Sequence, residues 1–163
     1  MAIYTKVSRL HINSIERKFN LGKIISFKGI KKGIENTNYI LKTKNNRYIL
    51  TIFGKRVQKK DIPFFIKLMD ELNKNKIICP KPQKNKNGNY LFNIKNKPAA
   101  IVSFVEGKDK NKLNIKNCYE IGKNVAKLHK FQKIAHTHTK LLFFHHIFFH
   151  IVIEVINNRR SLS

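Results

Sequence analysis

The chain has 163 residues, 42% of them hydrophobic, and carries 34 Lys and Arg against 9 Asp and Glu, a formal net charge of +25 at pH 7. That length suits one domain or two small lobes, and the apolar share excludes a generally disordered chain. The charge raises nucleic acid as a partner. However, lysine, asparagine and isoleucine recur evenly along the chain ("KTKNNRY", "KNKNGNY", "IKNKPAA"), and arginine, the better bidentate partner of guanine and phosphate, is scarce, which fits compositional drift better than a binding stripe.

Taken in chain order, residues 8–20 (SRLHINSIERKFN) read as a short helix. Ser8 caps it, Ile12, Ile15 and Phe19 share a face, and Leu21-Gly22 ends it. Three strand-like runs follow, GKIISFKGI, NYILKTK and RYILTIF, with Asn45-Asn46 as a turn, so an antiparallel meander is expected. Gly29 and Gly33 flank the first turn, in FKGIKKGIENTNYIL. Such a loop is either an ordinary hairpin or a lid over a nucleotide, where glycine lets the backbone approach a phosphate closely.

Residues 61–75 (DIPFFIKLMDELNKN) carry the clearest helical pattern. Asp61 caps, Pro63 sits in the first turn, and Ile62, Phe65, Ile66, Met69 and Leu72 form one stripe. Asn87-Gly88 is a hairpin signal, and KPAAIVSFVEG is a buried strand ending at Glu106-Gly107. After a polar linker, NIKNCYEIGKNVAKLHKFQ is a further amphipathic helix with Cys118, Ile121, Val125 and Leu128 at helical spacing. The expected class is α+β: a five-stranded antiparallel sheet with a helix after its third strand.

Cys79 and Cys118 have no partners at metal-ligand spacing, so both are expected as reduced thiols of a cytosolic protein. The opening MAIYTKVSRLHINS lacks the apolar run of a signal peptide. His136, His138, His145, His146 and His150 gather near the C-terminus, with His146 and His150 one helical turn apart. Only Glu154 is near them as an acid, so a metal site is not expected. The run LLFFHHIFFHIVIEVI falls short of the roughly 20 apolar residues a membrane span needs.

Five stretches in fixed order, "YTKVS", "LGKIISFKGIKKGIENTNYIL", "RYILTIFGKRV", "DIPFFIKLMDELN" and "AAIVSFVEG", resemble bacterial homoserine kinase of the aminoglycoside-phosphotransferase-like type, over residues 1 to about 131. The resemblance implies a protein-kinase-like small lobe, ATP and Mg²⁺ as cofactors, and phosphorylation of the hydroxyl of L-homoserine in threonine biosynthesis. It implies a lobe over residues 1–107, a linker and first helix of a second lobe over 108–132, and a tail over 133–163. Gly33, Asn36 and Asn38 match the loop over the nucleotide, and Ser103, Phe104 and Val105 the hinge whose backbone reads adenine. Thr51 stands where many relatives have a phosphate-gripping base, with Lys55 or Arg56 as the nearest substitutes and Glu71 as the nearest acid. The His-x-Asp…Asn loop and the later Asp that such chemistry uses do not occur after Gln132, and the tail holds no Asp, so no catalytic residue is assigned. The switch in character there resembles a shifted frame or a truncated copy. A basic α+β nucleic-acid module without catalysis is the competing expectation.

Overall fold

The structure is a computed structural model and describes residues 5–30, 36–55, 57–106 and 114–134. Gly33, Arg56 and the tail with its histidines lie outside the described residues. In chain order the elements are α1 (Arg9–Lys18), β1 (Ile24–Ile30), β2 (Thr37–Thr43), β3 (Arg47–Ile52), α2 (Ile62–Lys74), β4 (Leu91–Ile94), β5 (Lys97–Ser103) and α3 (Ile115–Ile134). The strands form one sheet in the order β1-β2-β3-β5-β4 with every neighbour antiparallel. The α+β expectation therefore holds, with its meander and the helix after β3.

Two compact units are present: Met1–Glu71 with Pro80–Phe104, and Leu72–Cys79 with Val105–Ser163. The first contains the whole sheet and α1. One face of the sheet packs on α1 in a single cluster, with Ile12, Ile15 and Phe19 against Leu41, Leu50, Ile52, Ile94, Ala99 and Ile101. Phe19 meets Phe92 edge-to-face at 5.1 Å between ring centroids. The opposite parity of the strands is buried as well, at Ile40, Ile49, Thr51, Ala100 and Val102. The expected α2 stripe is buried in full, at Ile62, Phe65, Ile66, Met69 and Leu72. Each such side chain contributes about 1.5–3 kcal/mol by leaving water.

Local signals set the element ends. Ser8 is the α1 N-cap in an extended conformation, and His11 takes the place of the usual acid three residues on, its Nδ1 accepting the Ser8 amide at 3.2 Å. The helix stops at Lys18, short of the expected end, because Phe19 turns extended and forms an isolated bridge to Asn85. Gly22, at φ +82°, then redirects the chain into β1. At the β2–β3 turn Thr43 accepts the Asn46 amide on its hydroxyl at 3.0 Å, which fixes the expected Asn45-Asn46 corner.

The β4–β5 hairpin departs from expectation. Its two-residue turn is Lys95-Asn96, with φ of 50° and 61°, and contains no glycine. Asn87-Gly88 does turn, but inside an earlier loop where Asn85 Oδ1 accepts the amides of Asn87 and Asn89. Both sites satisfy the positive-φ demand of a tight turn; the sequence signal marks only the one with glycine.

In the second unit, the Ile77 amide closes the α2 end by bonding the Leu72 carbonyl at 2.9 Å. Asn73 Nδ2 donates to the buried Cys79 sulfur at 3.0 Å. The helix α3 forms as its spacing predicts, yet Cys118 is exposed and Ile121 and Val125 are 51% and 44% exposed. Among the described residues no helix is long and apolar enough to cross a membrane.

Candidate functional site

The site is built where the glycine loop rejoins the sheet. Asn36 precedes β2, and its Oδ1 accepts the Gly54 amide, just past β3, at 3.1 Å. One side chain thus ties the return of the loop to the exit of the third strand. The next residue, Thr37, is buried and takes the Thr5 amide on its hydroxyl at 3.1 Å. Tyr39 Oη donates to the Thr5 carbonyl at 3.0 Å and accepts the Val7 amide at 3.1 Å. The N-terminal segment is thereby strapped across β2, and Lys97 Nζ adds a bond to the Thr5 hydroxyl at 2.9 Å.

Asn38 and Thr51 stand directly opposite one another across β2 and β3, and Thr51 is in turn opposite Ala100. Strand alternation puts this row on the sheet face away from α1, in parity with Ile40 and Ile49. Both side chains are buried, at 7% and 4% exposure. The Thr51 hydroxyl has no hydrogen-bond partner among the described residues, and a buried hydroxyl left so costs about 1–3 kcal/mol unless water or a ligand meets it. Lys55 follows Gly54 and is exposed, with no ion pair among the described residues.

The other sequence-predicted residues lie at the end of β5. The Ser103 amide donates to the Lys81 carbonyl at 2.8 Å, and the Ser103 hydroxyl accepts the Lys81 amide at 2.9 Å. The Phe104 amide donates to the Arg47 carbonyl at 3.0 Å, and the Arg47 guanidinium lies 4.4 Å from the centre of the Phe104 ring. Val105 opens the second unit. Asn36, Asn38, Thr51 and Lys55 therefore gather about one end of β2 and β3, whereas Ser103 belongs to a separate corner. Glu71 is an exposed residue of α2.

Sequence reasoning missed Gly54, Arg47 and Lys81. Gly54 acts through its amide and Lys81 through its backbone, which side-chain patterns do not reveal. The pairing of Arg47 with Phe104 joins residues far apart in the chain, with no local signal. Amides, hydroxyls and one lysine suit phosphate or sugar oxygens. They do not suit a magnesium ion, which takes carboxylate oxygens, and no cluster of three His, Cys, Asp or Glu side chains occurs among the described residues.

Comparison with known proteins agrees with this architecture. Residues 26–146 match the model of the phosphotransferase enzyme family, so the likeness runs past Gln132 into the His-containing stretch. Over 129 residues the chain is 39% identical to homoserine kinase of Rhodopseudomonas palustris and 41% identical to that of Methylobacterium radiotolerans, covering 79% of this chain and 40% of each relative. The chain thus spans about two fifths of the length of the curated relatives it matches. A microcompartment-associated aminopropanol kinase superposes with a TM-score of 0.54 at 15% identity, over 76% of this chain and 40% of that one. Spectinomycin phosphotransferase, solved with ADP and spectinomycin, gives 0.51 at 10% identity, over 68% and 33%. These two likenesses establish the kinase-like small-lobe fold, and with the match over 26–146 they place the chain in a family: it belongs to the phosphotransferase enzyme family.

Proposed function

We propose that this chain supplies the nucleotide-binding lobe of an ATP-dependent kinase that phosphorylates the hydroxyl of L-homoserine, a soluble cytosolic step of threonine biosynthesis. The observation that carries the reading is the Asn36–Gly54 bond, which ties the glycine-loop return to the end of β3. It brings a buried hydroxyl, a buried amide and an exposed cation, the hydroxyl and the cation without a side-chain partner among the described residues, to one end of two strands. The identity of 39–41% to homoserine kinases supports the choice of substrate.

In this reading the loop bearing Gly33 covers the phosphates, and Asn36 holds its trailing end. Thr51 donates its hydroxyl to the nucleotide where relatives place a base. Lys55 supplies the missing positive charge from just beyond the strand, as a point charge rather than a bidentate fork. Asn38 shapes the wall beside Thr51, and Ser103 and Val105 frame the backbone that reads adenine. Magnesium, when bound, neutralises charge on the transferring phosphoryl group; none of the residues named here would hold it. The 163 residues contain no aspartate after Asp109; in this reading they supply nucleotide binding, and the Asp and Asn that orient the hydroxyl and hold the metal are not assigned among them.

The test is calorimetric titration of the full chain with ATP and GTP, alongside a homoserine-dependent ADP-release assay. Saturable ATP binding that weakens in Lys55→Ala, with no ADP release, is expected. Absence of saturable binding would refute the lobe assignment. The competing reading is a basic nucleic-acid module, which the net charge of +25 raises. Tight RNA binding that collapses with added salt, in a chain indifferent to ATP, would establish that alternative.

A further inference from the structure

We infer that Arg47 is a positioning residue for adenine recognition: stacked on Phe104, it fixes the backbone at the end of β5 from which the base is read. The inference rests on the nucleotide-lobe reading above and concerns a residue that reading does not use.

Phe104 is held twice by one residue. Its amide is bonded to the Arg47 carbonyl at 3.0 Å, and its ring lies under the Arg47 guanidinium at 4.4 Å. Its neighbour Ser103 is pinned to Lys81 by both amide and hydroxyl, and Pro82 bridges Val102. The end of β5 is therefore clamped from both flanking segments. The amides of Ser103 and Phe104 are already bonded, to the Lys81 and Arg47 carbonyls, so base recognition falls to the carbonyls of this corner and the backbone of Val105. Their direction is set by how Phe104 sits.

Only the side-chain half of this clamp is removable without touching the sheet. The backbone bond survives any substitution at Arg47. The guanidinium lies on the surface and Phe104 is half-buried, so removing it opens no core cavity. Among what is lost is the hold on the orientation of the ring. A planar guanidinium stacks on an aromatic face; a lysine ammonium keeps the charge but not the plane. A phosphate-binding role for Arg47 is the competing explanation, and the two differ in which half of the nucleotide they affect.

The experiment compares ADP with inorganic tripolyphosphate as probes of the full chain, in wild type, Arg47→Ala, Arg47→Lys and Phe104→Leu, with amide exchange at Phe104 followed in each. Loss of one surface cation–π contact should weaken ADP about two- to fivefold in Arg47→Ala. Tripolyphosphate should hold its affinity, Phe104→Leu should mirror Arg47→Ala, and Arg47→Lys should recover part of the loss. Exchange at Phe104 should speed up while global unfolding stays in place. Equal weakening of ADP and tripolyphosphate would make Arg47 a phosphate contact and overturn the proposal. So would unchanged ADP affinity in Arg47→Ala. A wild-type chain that binds neither probe would overturn the nucleotide-lobe reading itself, a result distinct from both.

Discussion

The Tyr39 ring lies against Gly29: a methyl group there would sit 3.4 Å from Tyr39 Cε1. The two residues are direct partners across β1 and β2. The ring thus limits the size of the side chain that this strand position can carry. Gly29→Ala is expected to fold with nearly normal stability, since that distance is ordinary contact. Gly29→Val pushes branched carbons into the ring and should cost about 1–3 kcal/mol, as overpacking does. Urea unfolding of the two variants checks this, and equal midpoints would contradict it.

Tyr39 also strings the N-terminal segment to the sheet through its hydroxyl, which serves Thr5 and Val7 at once. Tyr39→Phe keeps the ring against Gly29 and removes only those bonds. It should destabilise by about 1–3 kcal/mol, because the Thr5 carbonyl is left buried and unpaired. Proteolysis near the N-terminus should become faster in this variant. An unchanged unfolding midpoint would argue that the strap is not needed.

Asn36→Ala severs the loop tether and leaves the Gly54 amide without its acceptor. A stability loss of about 1 kcal/mol is expected from one neutral bond. The larger consequence falls on nucleotide affinity, because both the loop return and Lys55 lose their common anchor. Calorimetry with ATP separates the two effects: a fall in affinity at a temperature where the variant remains folded supports the tether, and full affinity counts against it.

Much of this architecture is legible in the sequence, for identifiable reasons. The α2 stripe is readable because five apolar residues at helical spacing are all buried. The meander is readable because its turns use asparagine and glycine. The Lys95-Asn96 turn is not, because Lys95 adopts positive φ without the residue type that advertises it. The α3 stripe shows the opposite limit: its spacing predicts the helix correctly, but burial depends on what packs against it, which spacing does not encode. At the site, Asn36, Asn38, Thr51 and Lys55 lie about one end of β2 and β3. The Arg47 contact and the Gly54 amide depend on tertiary approach and backbone groups, and no local pattern carries either.

The β4–β5 turn offers a stabilising change. With both central residues in the left-handed region, the preferred pair for this geometry is Asn-Gly. Replacing Lys95 by Asn and Asn96 by Gly should therefore relieve strain, by about 0.5–1 kcal/mol. A rise in the urea midpoint at constant slope is the expected result. A fall would mean that the lysine or asparagine side chain holds a contact worth more than the strain.

The two cysteines should behave in opposite ways. Cys118 is exposed on α3, whereas Cys79 is buried, and burial pushes its thiol from 9.0 up to about 12. At pH 8 a thiol reagent should therefore modify Cys118 quickly and Cys79 only on unfolding. The same burial links stability to pH. The folded chain keeps the Cys79 proton up to about pH 12, while the unfolded thiol releases it near 9.0. Between those values the native state binds more protons than the unfolded one, so stability is intact below pH 9 and declines as pH rises through this window. Cys79→Ser would remove that alkaline dependence, at the expense of a hydroxyl in a site shaped for sulfur. Unfolding measured at pH 8 and pH 10.5 should thus show a larger drop for wild type than for Cys79→Ser. Equal drops would rule out Cys79 as the source of the alkaline sensitivity.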